Sequence, residues 1–243
     1  MVLNRQALKS KLLQQLLAHP ELNLTIWSDE ELLHSIRQTL QQKSSDQLWV
    51  FAYGSLIWNP LFEYLERCVV TIEGWQREFC LFAPVGRGTI ENPGLVLGLK
   101  PGKSCQGVAY RLPINEDLES ELLLLWRREM VVGSYIPTWV TAQSNHQQIE
   151  VLTFMVNSQH PVYVDNLSIE KTVESLATAK GILGSSAEYL DCTVQGLSAE
   201  GIEDRGLIDL NYLVKNRQQE LNYSQDRSVS NFGVAQLGYD LNL

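Results

Sequence analysis

Hydrophobic positions near the N-terminus follow a helical spacing. Leucines recur every three or four positions over residues 8–17, which predicts a helix. Ser28 and Glu31 form the pattern of a capping box, so a second helix is predicted over roughly Asp29–Gln42. Residues 1–47 are therefore expected to be a helical N-terminal extension. We find no chemistry in this extension and expect it to serve packing or partner binding.

A short apolar run, Leu48–Ala52, changes the pattern from helix to strand. It is rich in aromatic and β-branched residues and predicts a buried strand. The chain continues as Tyr53-Gly54-Ser55-Leu56, where Gly54 allows a positive φ or a close approach of the backbone to a ligand. Successive backbone N–H groups after such a turn can bind an anion such as a carboxylate. A tight turn without function is the simpler interpretation of this stretch alone.

The chain between residues 48 and 157 carries the strand signals. The strands predicted after the first are Cys68–Ala83, Leu95–Leu99, Gln106–Leu112, Trp139–Thr141 and Ile149–Val156. Gly74 is expected to interrupt the first of these with a bulge or bend. The segment Pro101-Gly102-Lys103-Ser104 is expected to be a hairpin turn. Strands with helices at both ends of the chain predict an α+β fold, which a closed barrel with packed helices would satisfy.

One predicted helix interrupts the strands and ends near a carboxylate. Its apolar face consists of Leu118, Leu122, Leu125 and Trp126. The same spacing continues to Glu129, whereas Arg127 and Arg128 are expected to point elsewhere. A buried, unpaired carboxylate is costly or has a raised pKa, which makes Glu129 a functional candidate. An end-of-helix glutamate that reaches solvent or pairs with an arginine explains the pattern equally well.

The C-terminal part returns to helical spacing. Helices are predicted over Leu167–Lys180, Ala187–Leu197 and Arg205–Gln219. Residues 222–243 are polar and are expected to form a loose or partner-dependent tail.

Composition and charge narrow the class of protein. With 243 residues, 44% of them hydrophobic, the chain can bury a full core. Its net charge of −9 argues against nucleic acid or an anionic membrane as a partner, and no apolar run approaches the roughly 20 residues of a transmembrane helix. The four cysteines lack CxxC spacing, which fits neither a disulfide framework nor a zinc site and suits the reducing cytoplasm. The histidines, at positions 19, 34, 146 and 160, offer no metal site.

Several short motifs occur together in a characteristic order. After Tyr53-Gly54-Ser55-Leu56-Ile57-Trp58-Asn59-Pro60 come Arg87-Gly88-Thr89, Pro93-Gly94, Gly107-Val108-Ala109-Tyr110-Arg111, Leu125-Trp126-Arg127-Arg128-Glu129, Glu188-Tyr189-Leu190 and Gly201-Ile202-Glu203-Asp204. No single motif is specific, but the ordered set resembles the ChaC-like γ-glutamylcyclotransferases. The resemblance extends from about residue 48 to about residue 213.

This resemblance implies a fold, a reaction and a set of residues. It implies a small mixed β-barrel flanked by helices, with a catalytic domain over residues 48–221 between the extension and the tail. It implies an enzyme that cleaves glutathione to 5-oxoproline and cysteinylglycine. Tyr53, Gly54, Ser55 and Leu56 would then hold the γ-glutamyl group, and Glu129 would be the catalytic base. Tyr135 is the nearest match to a further tyrosine of the superfamily.

The reaction requires a base and a substrate chain held in a bent conformation, and it needs no metal or organic cofactor. The α-amino nitrogen of the substrate attacks its own side-chain amide, so a carboxylate must first remove a proton from the ammonium group. Glu129 has the right chemistry, and Arg87 is a candidate for a substrate carboxylate, although a structural pairing in its loop is the simpler interpretation. The absence of a G-x-S-x-G motif makes Ser55 a poor candidate for a nucleophile.

Two other functions stay open from the sequence. The first is a cyclotransferase that acts on another γ-glutamyl amine. The second is a non-catalytic regulator that keeps the ligand pocket and is linked to cation transport. The oligomeric state is not determined by the sequence.

Overall fold

The computed structural model describes residues 3–144 and 147–236. Its helices are α1 (Arg5–Lys9), α2 (Leu12–Leu17), α3 (Asp29–Gln41), α4 (Ser55–Trp58), α5 (Leu118–Glu129), α6 (Ile169–Thr178), α7 (Ser186–Ala199) and α8 (Arg205–Gln236), with a 3-10 turn at Pro20–Leu22. Its strands are β1 (Leu48–Ala52), β2 (Glu66–Ala83), β3 (Gly94–Leu112), β4 (Tyr135–Gln143), β5 (Gln148–Val156), β6 (Lys180–Gly181) and β7 (Gly184–Ser185).

Five strands form a closed barrel in the order β1-β3-β2-β4-β5. Four of the neighbouring pairs are antiparallel. The barrel closes through β1 and β5, which run parallel and meet at Val50 and Leu152. Helices pack around this barrel and the N-terminal helices precede it. The predicted α+β fold, a small mixed barrel flanked by helices, is confirmed.

Strand β1 is the buried strand that its sequence predicts. Every residue of Leu48–Ala52 is buried, and Val50 and Phe51 have no solvent exposure. A strand covered on both faces is expected to be apolar throughout rather than alternating. Its position in the barrel brings the segment that follows it, Tyr53-Gly54-Ser55-Leu56, to one end of the barrel.

The predicted hairpin at residues 101–104 is wrong. Strand β3 continues through this segment and pairs with β2 on both sides of it. The ladder shifts register at Gly74, so that this one residue faces two residues of β3, and Gly74 has a φ of +82°. Pro101 cannot donate a backbone hydrogen bond, and it pairs beside this bulge. The turn-forming residues therefore bend a long strand pair instead of ending it.

The N-terminal extension is helical, as predicted, but its first helix is broken. Lys11 adopts a φ of 58° and separates α1 from α2. The capping box at the start of α3 is confirmed, since the Ser28 hydroxyl accepts a hydrogen bond from the Glu31 amide and the Glu31 carboxylate accepts one from the Ser28 amide. Leu32 and Ile36 of α3 are completely buried.

The last helix is longer than predicted. Helix α8 continues to Gln236 instead of ending near Gln219, so residues 222–236 are helical. A partner-dependent role for this part of the tail stays a prediction. The rest of that tail, residues 237–243, lies outside the described residues, as does His146. The domain boundaries at residues 47 and 221 stay a prediction. Among the described residues, no helix is both long enough and apolar enough to cross a membrane.

Candidate active site

The candidate site begins where β1 passes into α4. Gly54 precedes the first residue of α4 with a φ of −142°, so this position does not require a positive φ. The glycine instead allows a close approach to the backbone. A methyl group on Gly54 would lie 3.2 Å from the Tyr189 hydroxyl oxygen and 3.5 Å from Leu97. The glycine therefore lets α7 and β3 approach the backbone of the turn.

Helix α4 starts with backbone N–H groups that can bind a ligand. Ser55 and Leu56 are its first two residues, and the first N–H groups of a helix have no carbonyl partner within that helix. Such N–H groups carry partial positive charge and favour an anion. These N–H groups are compatible with a bound carboxylate, which stays a prediction.

Glu129, the last residue of α5, shares a cavity with this turn. The inner cavity has an empty volume of about 300 Å³, counted to its opening toward solvent. It is lined by Tyr53, Gly54, Ser55, Leu56, Leu97, Glu129, Tyr135, Phe154 and Tyr189. The Glu129 side chain is 14% exposed. The carboxylate on the apolar stripe of α5 therefore does face inward, and it faces the turn after β1.

Arg128 connects Glu129 to the turn. Its Nε lies 3.0 Å from Glu129 Oε1, and its Nη2 donates a hydrogen bond of 2.8 Å to the Ser55 hydroxyl. A third bond of 2.5 Å runs from Nη1 to the carbonyl oxygen of Asn59 at the end of α4. The expectation that Arg128 points away from the site is wrong. The side chain is only 7% exposed and fixes α5 against α4.

Two opposing effects act on the pKa of Glu129. Burial raises the pKa of Glu129 above the ordinary value of a glutamate, and the charge and hydrogen bond of Arg128 oppose that rise. The resulting pKa is raised. A carboxylate with a raised pKa is a better proton acceptor than an ordinary surface glutamate.

Three tyrosines, Tyr53, Tyr135 and Tyr189, complete the wall of the inner cavity. Tyr53 donates a hydrogen bond of 2.8 Å to the Phe154 carbonyl oxygen, and Tyr135 donates one of 2.8 Å to the Leu97 carbonyl oxygen. Burial, together with the nearby Glu129 charge, keeps the pKa of Tyr53 and Tyr135 well above the ordinary value. Both hydroxyl groups are thus neutral donors near neutral pH.

Arg87 is not among the residues that line the inner cavity. Its guanidinium carbon is 5.9 Å from the ring centre of Trp58 and 5.7 Å from that of Tyr189. Its Nη1 lies 3.2 Å from the Glu188 carboxylate. Arg87 also lines a larger outer cavity with an empty volume of about 1100 Å³, counted to its solvent-facing mouth. The two cavities share Ser55, Glu129, Tyr135 and Tyr189.

The sequence interpretation missed two residues of the site. Tyr189 lies within one of the motifs that carry the family resemblance, but the sequence indicates no role for it. Arg128 falls off the apolar stripe of α5, so the helical pattern does not predict it, although a long arginine side chain can reach around a helix end. Among the described residues, no group of three or more histidine, cysteine, aspartate and glutamate side chains could hold a metal ion.

Comparison with known proteins gives one family and a consistent set of relatives. The sequence model of the ChaC-like protein family matches residues 48–217. The glutathione-specific gamma-glutamylcyclotransferase of Escherichia coli is 42% identical over 192 residues, 78% of this chain and 83% of that protein. A human protein named glutathione-specific gamma-glutamylcyclotransferase 1 is 32% identical over 148 residues, 59% of this chain and 66% of that protein.

A solved structure has the same fold. The crystal structure of a yeast gamma-glutamylcyclotransferase specific to glutathione superposes with a TM-score of 0.65 at 22% identity. The match covers 72% of this chain and 97% of the yeast chain. At this identity the likeness establishes the shared fold.

Proposed function

The chain belongs to the ChaC-like protein family, and we propose that it is a glutathione-specific γ-glutamylcyclotransferase. It converts glutathione to 5-oxoproline and cysteinylglycine without adding water. The observation that carries this proposal is the inner cavity, which Glu129 shares with the turn after β1. That cavity joins an anion-binding turn to a proton acceptor, and the cyclisation of a γ-glutamyl amide needs both.

The turn binds the head of the glutamyl group. The backbone N–H groups of Ser55 and Leu56 hold the α-carboxylate at the start of α4. Arg128 adds a positive charge beside them through its bond to the Ser55 hydroxyl. Tyr53 and Tyr135 close the cavity around the glutamyl chain. Holding this flexible chain in a bent conformation contributes most to the rate, because well-oriented intramolecular reactions gain roughly 7–11 kcal/mol from positioning.

Glu129 transfers the proton. The substrate enters with its α-amino group as an ammonium ion, which is not a nucleophile. The Glu129 carboxylate takes one proton, and the freed amine attacks the γ-carbonyl carbon. The ring nitrogen then gives up its second proton to the departing nitrogen as the C–N bond to cysteine breaks. The same carboxyl group then returns a proton to the leaving amine. The raised pKa of Glu129 suits both steps, since the group must accept and release a proton near neutral pH.

Arg87 is positioned to attract the far end of the substrate. It lies on the wall of the outer cavity, beyond the residues that the two cavities share. Its guanidinium group is held over two aromatic rings and is 13% exposed. We assign it to the glycine carboxylate of glutathione, which it attracts in competition with Glu188.

Product analysis after incubation with reduced glutathione tests the reaction. The protein is expected to release 5-oxoproline and cysteinylglycine in equal amounts, and γ-glutamylalanine is expected to be a poor substrate. Free glutamate as the product would mean hydrolysis and would contradict the proposal. Faster turnover of γ-glutamylalanine would assign the chain to a different γ-glutamyl amine.

A pair of variants on α5 tests the base. Glu129→Gln keeps the shape of the side chain but cannot accept the proton, so the rate of 5-oxoproline release should fall by roughly 10²–10⁴-fold. Glu119→Gln is the matched control, because Glu119 is on the same helix and its side chain is 47% exposed. The control should keep the wild-type rate. Full activity of a folded Glu129→Gln variant would exclude Glu129 as the base.

We also propose a cytoplasmic location. The cysteines Cys68, Cys80, Cys105 and Cys192 are all free thiols, and burial raises the pKa of the Cys80 thiol to about 11. Unpaired thiols suit a reducing compartment, where reduced glutathione is also found.

A further inference from the structure

The N-terminal extension reaches the outer cavity. Leu3, Leu13, Leu17 and Leu24 of the extension line it. Leu13 and Leu17 are four residues apart on α2, so they lie on the same face of that helix. All four leucines are half-buried. The segment from residue 3 to residue 24, here called the leucine wall, therefore presents apolar side chains to space that adjoins the catalytic residues.

The outer cavity begins where the inner cavity ends. Glu129 lines both, and so do Ser55, Tyr135 and Tyr189. If the glutamyl head lies in the inner cavity, the reacting amide must face Glu129 at this boundary. The leaving half of the substrate then has to extend into the outer cavity, which is bounded on one side by the leucine wall.

Polar contacts hold the leucine wall in a fixed position relative to the catalytic elements. The Asn59 side chain, at the end of α4, donates a hydrogen bond of 3.0 Å to the Leu3 carbonyl oxygen. Arg5 binds the Glu121 carboxylate of α5 through two bonds of 2.7 and 2.5 Å. Arg127 of the same helix donates to the Leu8 carbonyl oxygen at 3.3 Å. The wall is thus anchored to α4 and α5, the helices that carry Ser55 and Glu129.

We propose that the leucine wall is part of the substrate site and contacts the cysteinylglycine half of glutathione. This inference rests on the proposed function, but it involves residues outside the segment that matches the family. The wall removes apolar surface of the cysteinyl group from water and so favours a dipeptide leaving group over a small amine. It binds the ground state and the transition state alike, so its loss should raise KM and leave kcat unchanged.

Two neighbouring leucines on α2 provide the experiment. Leu17 lines the outer cavity, whereas Leu16 is also half-buried but is not among the residues that line it. Leu17→Ser should raise the KM for glutathione roughly tenfold while kcat stays within about twofold. Leu16→Ser should leave both constants within about twofold of wild type. Leu24→Ser, outside the helices of the extension, should repeat the effect of Leu17→Ser and serves if that variant fails to fold.

The outcomes separate this inference from the proposed function. Wild-type turnover together with an unchanged KM in folded Leu17→Ser and Leu24→Ser variants would overturn the inference alone. The same increase of KM in Leu16→Ser would also overturn it, because the effect would then come from general loosening of the extension. If the wild-type protein released no 5-oxoproline, that result would contradict both the proposed function and this inference.

Discussion

At the scale of single residues, the paired Arg128 and Glu129 determine the properties of the site. They are adjacent in sequence, yet their side chains meet at 3.0 Å inside the protein. A buried arginine beside a carboxylate favours the ionised carboxylate, while burial favours the neutral one. The balance leaves Glu129 with a raised pKa. Arg128 therefore does more than hold α4, because it limits how far that pKa rises.

The pH dependence of activity should report this balance. If Glu129 is the base, as we propose, activity requires its ionised form, so kcat/KM should fall as the pH drops through the raised pKa of Glu129. Arg128→Met removes the positive charge, so the pKa of Glu129 should rise further and the acid limb should move to higher pH by about one unit or more.

Arg127→Met is the matched control, because Arg127 is the neighbouring residue on α5 and binds Asp29 instead of Glu129. Its acid limb should coincide with that of wild type. An acid limb that stays in place or moves to lower pH in the Arg128→Met variant would contradict the assignment.

A second arginine fixes the turn from the other side. Arg77 of β2 donates a hydrogen bond of 2.7 Å from Nη1 to the Tyr53 carbonyl oxygen. Its Nε lies 3.1 Å from Asp204, just before α8, and its side chain is 5% exposed. Arg77 therefore links the start of the last helix to the backbone of the turn after β1, and we expect it to act as a positioning residue for that turn.

Removing Arg77 should affect both stability and catalysis. Arg77→Met leaves the Tyr53 carbonyl and Asp204 without this donor, so the free energy of unfolding should fall by about 2 kcal/mol, and kcat should fall because the turn is less well fixed. Urea unfolding and steady-state kinetics measure the two effects. Arg67→Met is the control on the same strand, since Arg67 is 45% exposed, and it should change neither quantity appreciably. A wild-type kcat for Arg77→Met would show that the bond is only structural.

At the scale of elements, the approach of β3 to β1 leaves no space beside Gly107. A methyl group there would lie 2.3 Å from the Ala52 carbonyl oxygen and 2.6 Å from the Phe51 ring. Ala52 directly precedes the turn after β1, so the close pairing of these strands determines where the turn begins. Gly107 is needed for its small size.

Substitution of this glycine should therefore distort the end of β1. Gly107→Ala should lower the free energy of unfolding by about 2 kcal/mol, a typical penalty for overpacking, and should also reduce kcat. Gly206→Ala is the matched control in the first turn of α8, where the nearest neighbouring atom would be 3.5 Å away. The control should be stabilising by about 0.5 kcal/mol. Thermal unfolding measures the stability of both variants. Equal stabilities would contradict the need for a small residue at position 107.

At the scale of the whole molecule, α5 lies between the barrel and the N-terminal extension. Trp126 of α5 is completely buried and forms an edge contact with Phe154 of the barrel, and its indole nitrogen donates a hydrogen bond of 3.0 Å to Ser35 of α3. Arg127 binds Asp29 at the start of α3 through bonds of 3.0 and 2.9 Å. The extension therefore supports the helix that carries Glu129 from the side opposite the barrel.

The pH dependence of stability should reveal this support. The Arg127 hydrogen bonds lower the pKa of Asp29 to about 2, below the ordinary value of about 3.9. Because the folded-state pKa is depressed, the contribution of Asp29 is present above about pH 4 and is lost as the pH falls through about 2.

Asp29→Asn should lower the free energy of unfolding by about 1 kcal/mol at pH 7, and the difference from wild type should narrow below pH 4. Glu119→Gln is the control, since its pair with Arg37 is exposed at the surface and should contribute little. A difference between Asp29→Asn and wild type that is independent of pH would contradict the role of this ion pair.

The sequence by itself determined much of the local structure. The continuous apolar run Leu48–Ala52, rich in aromatic and β-branched residues, predicted a buried strand, and Ser28 with Glu31 determined where α3 begins. Glu129 was a functional candidate because it lies on a helical stripe of leucines where a charge is costly. The alternative of a glutamate paired with an arginine fitted the pattern equally well, and that pair is present in the structure. These features depend on neighbours within a few residues, which is why a pattern along the chain reveals them.

Only the tertiary structure decided the remaining features. Turn-forming residues at positions 101–104 became a bend because β2 supplies a partner strand with a bulge at Gly74. Arg128 lies in the site because its guanidinium group donates hydrogen bonds to Ser55 and Asn59, which are some 70 residues earlier in the sequence. The leucine wall lines the outer cavity together with Glu129 because folding brings these distant segments together. Contacts between residues far apart in the chain leave no periodic signal, so they become visible only in the folded protein.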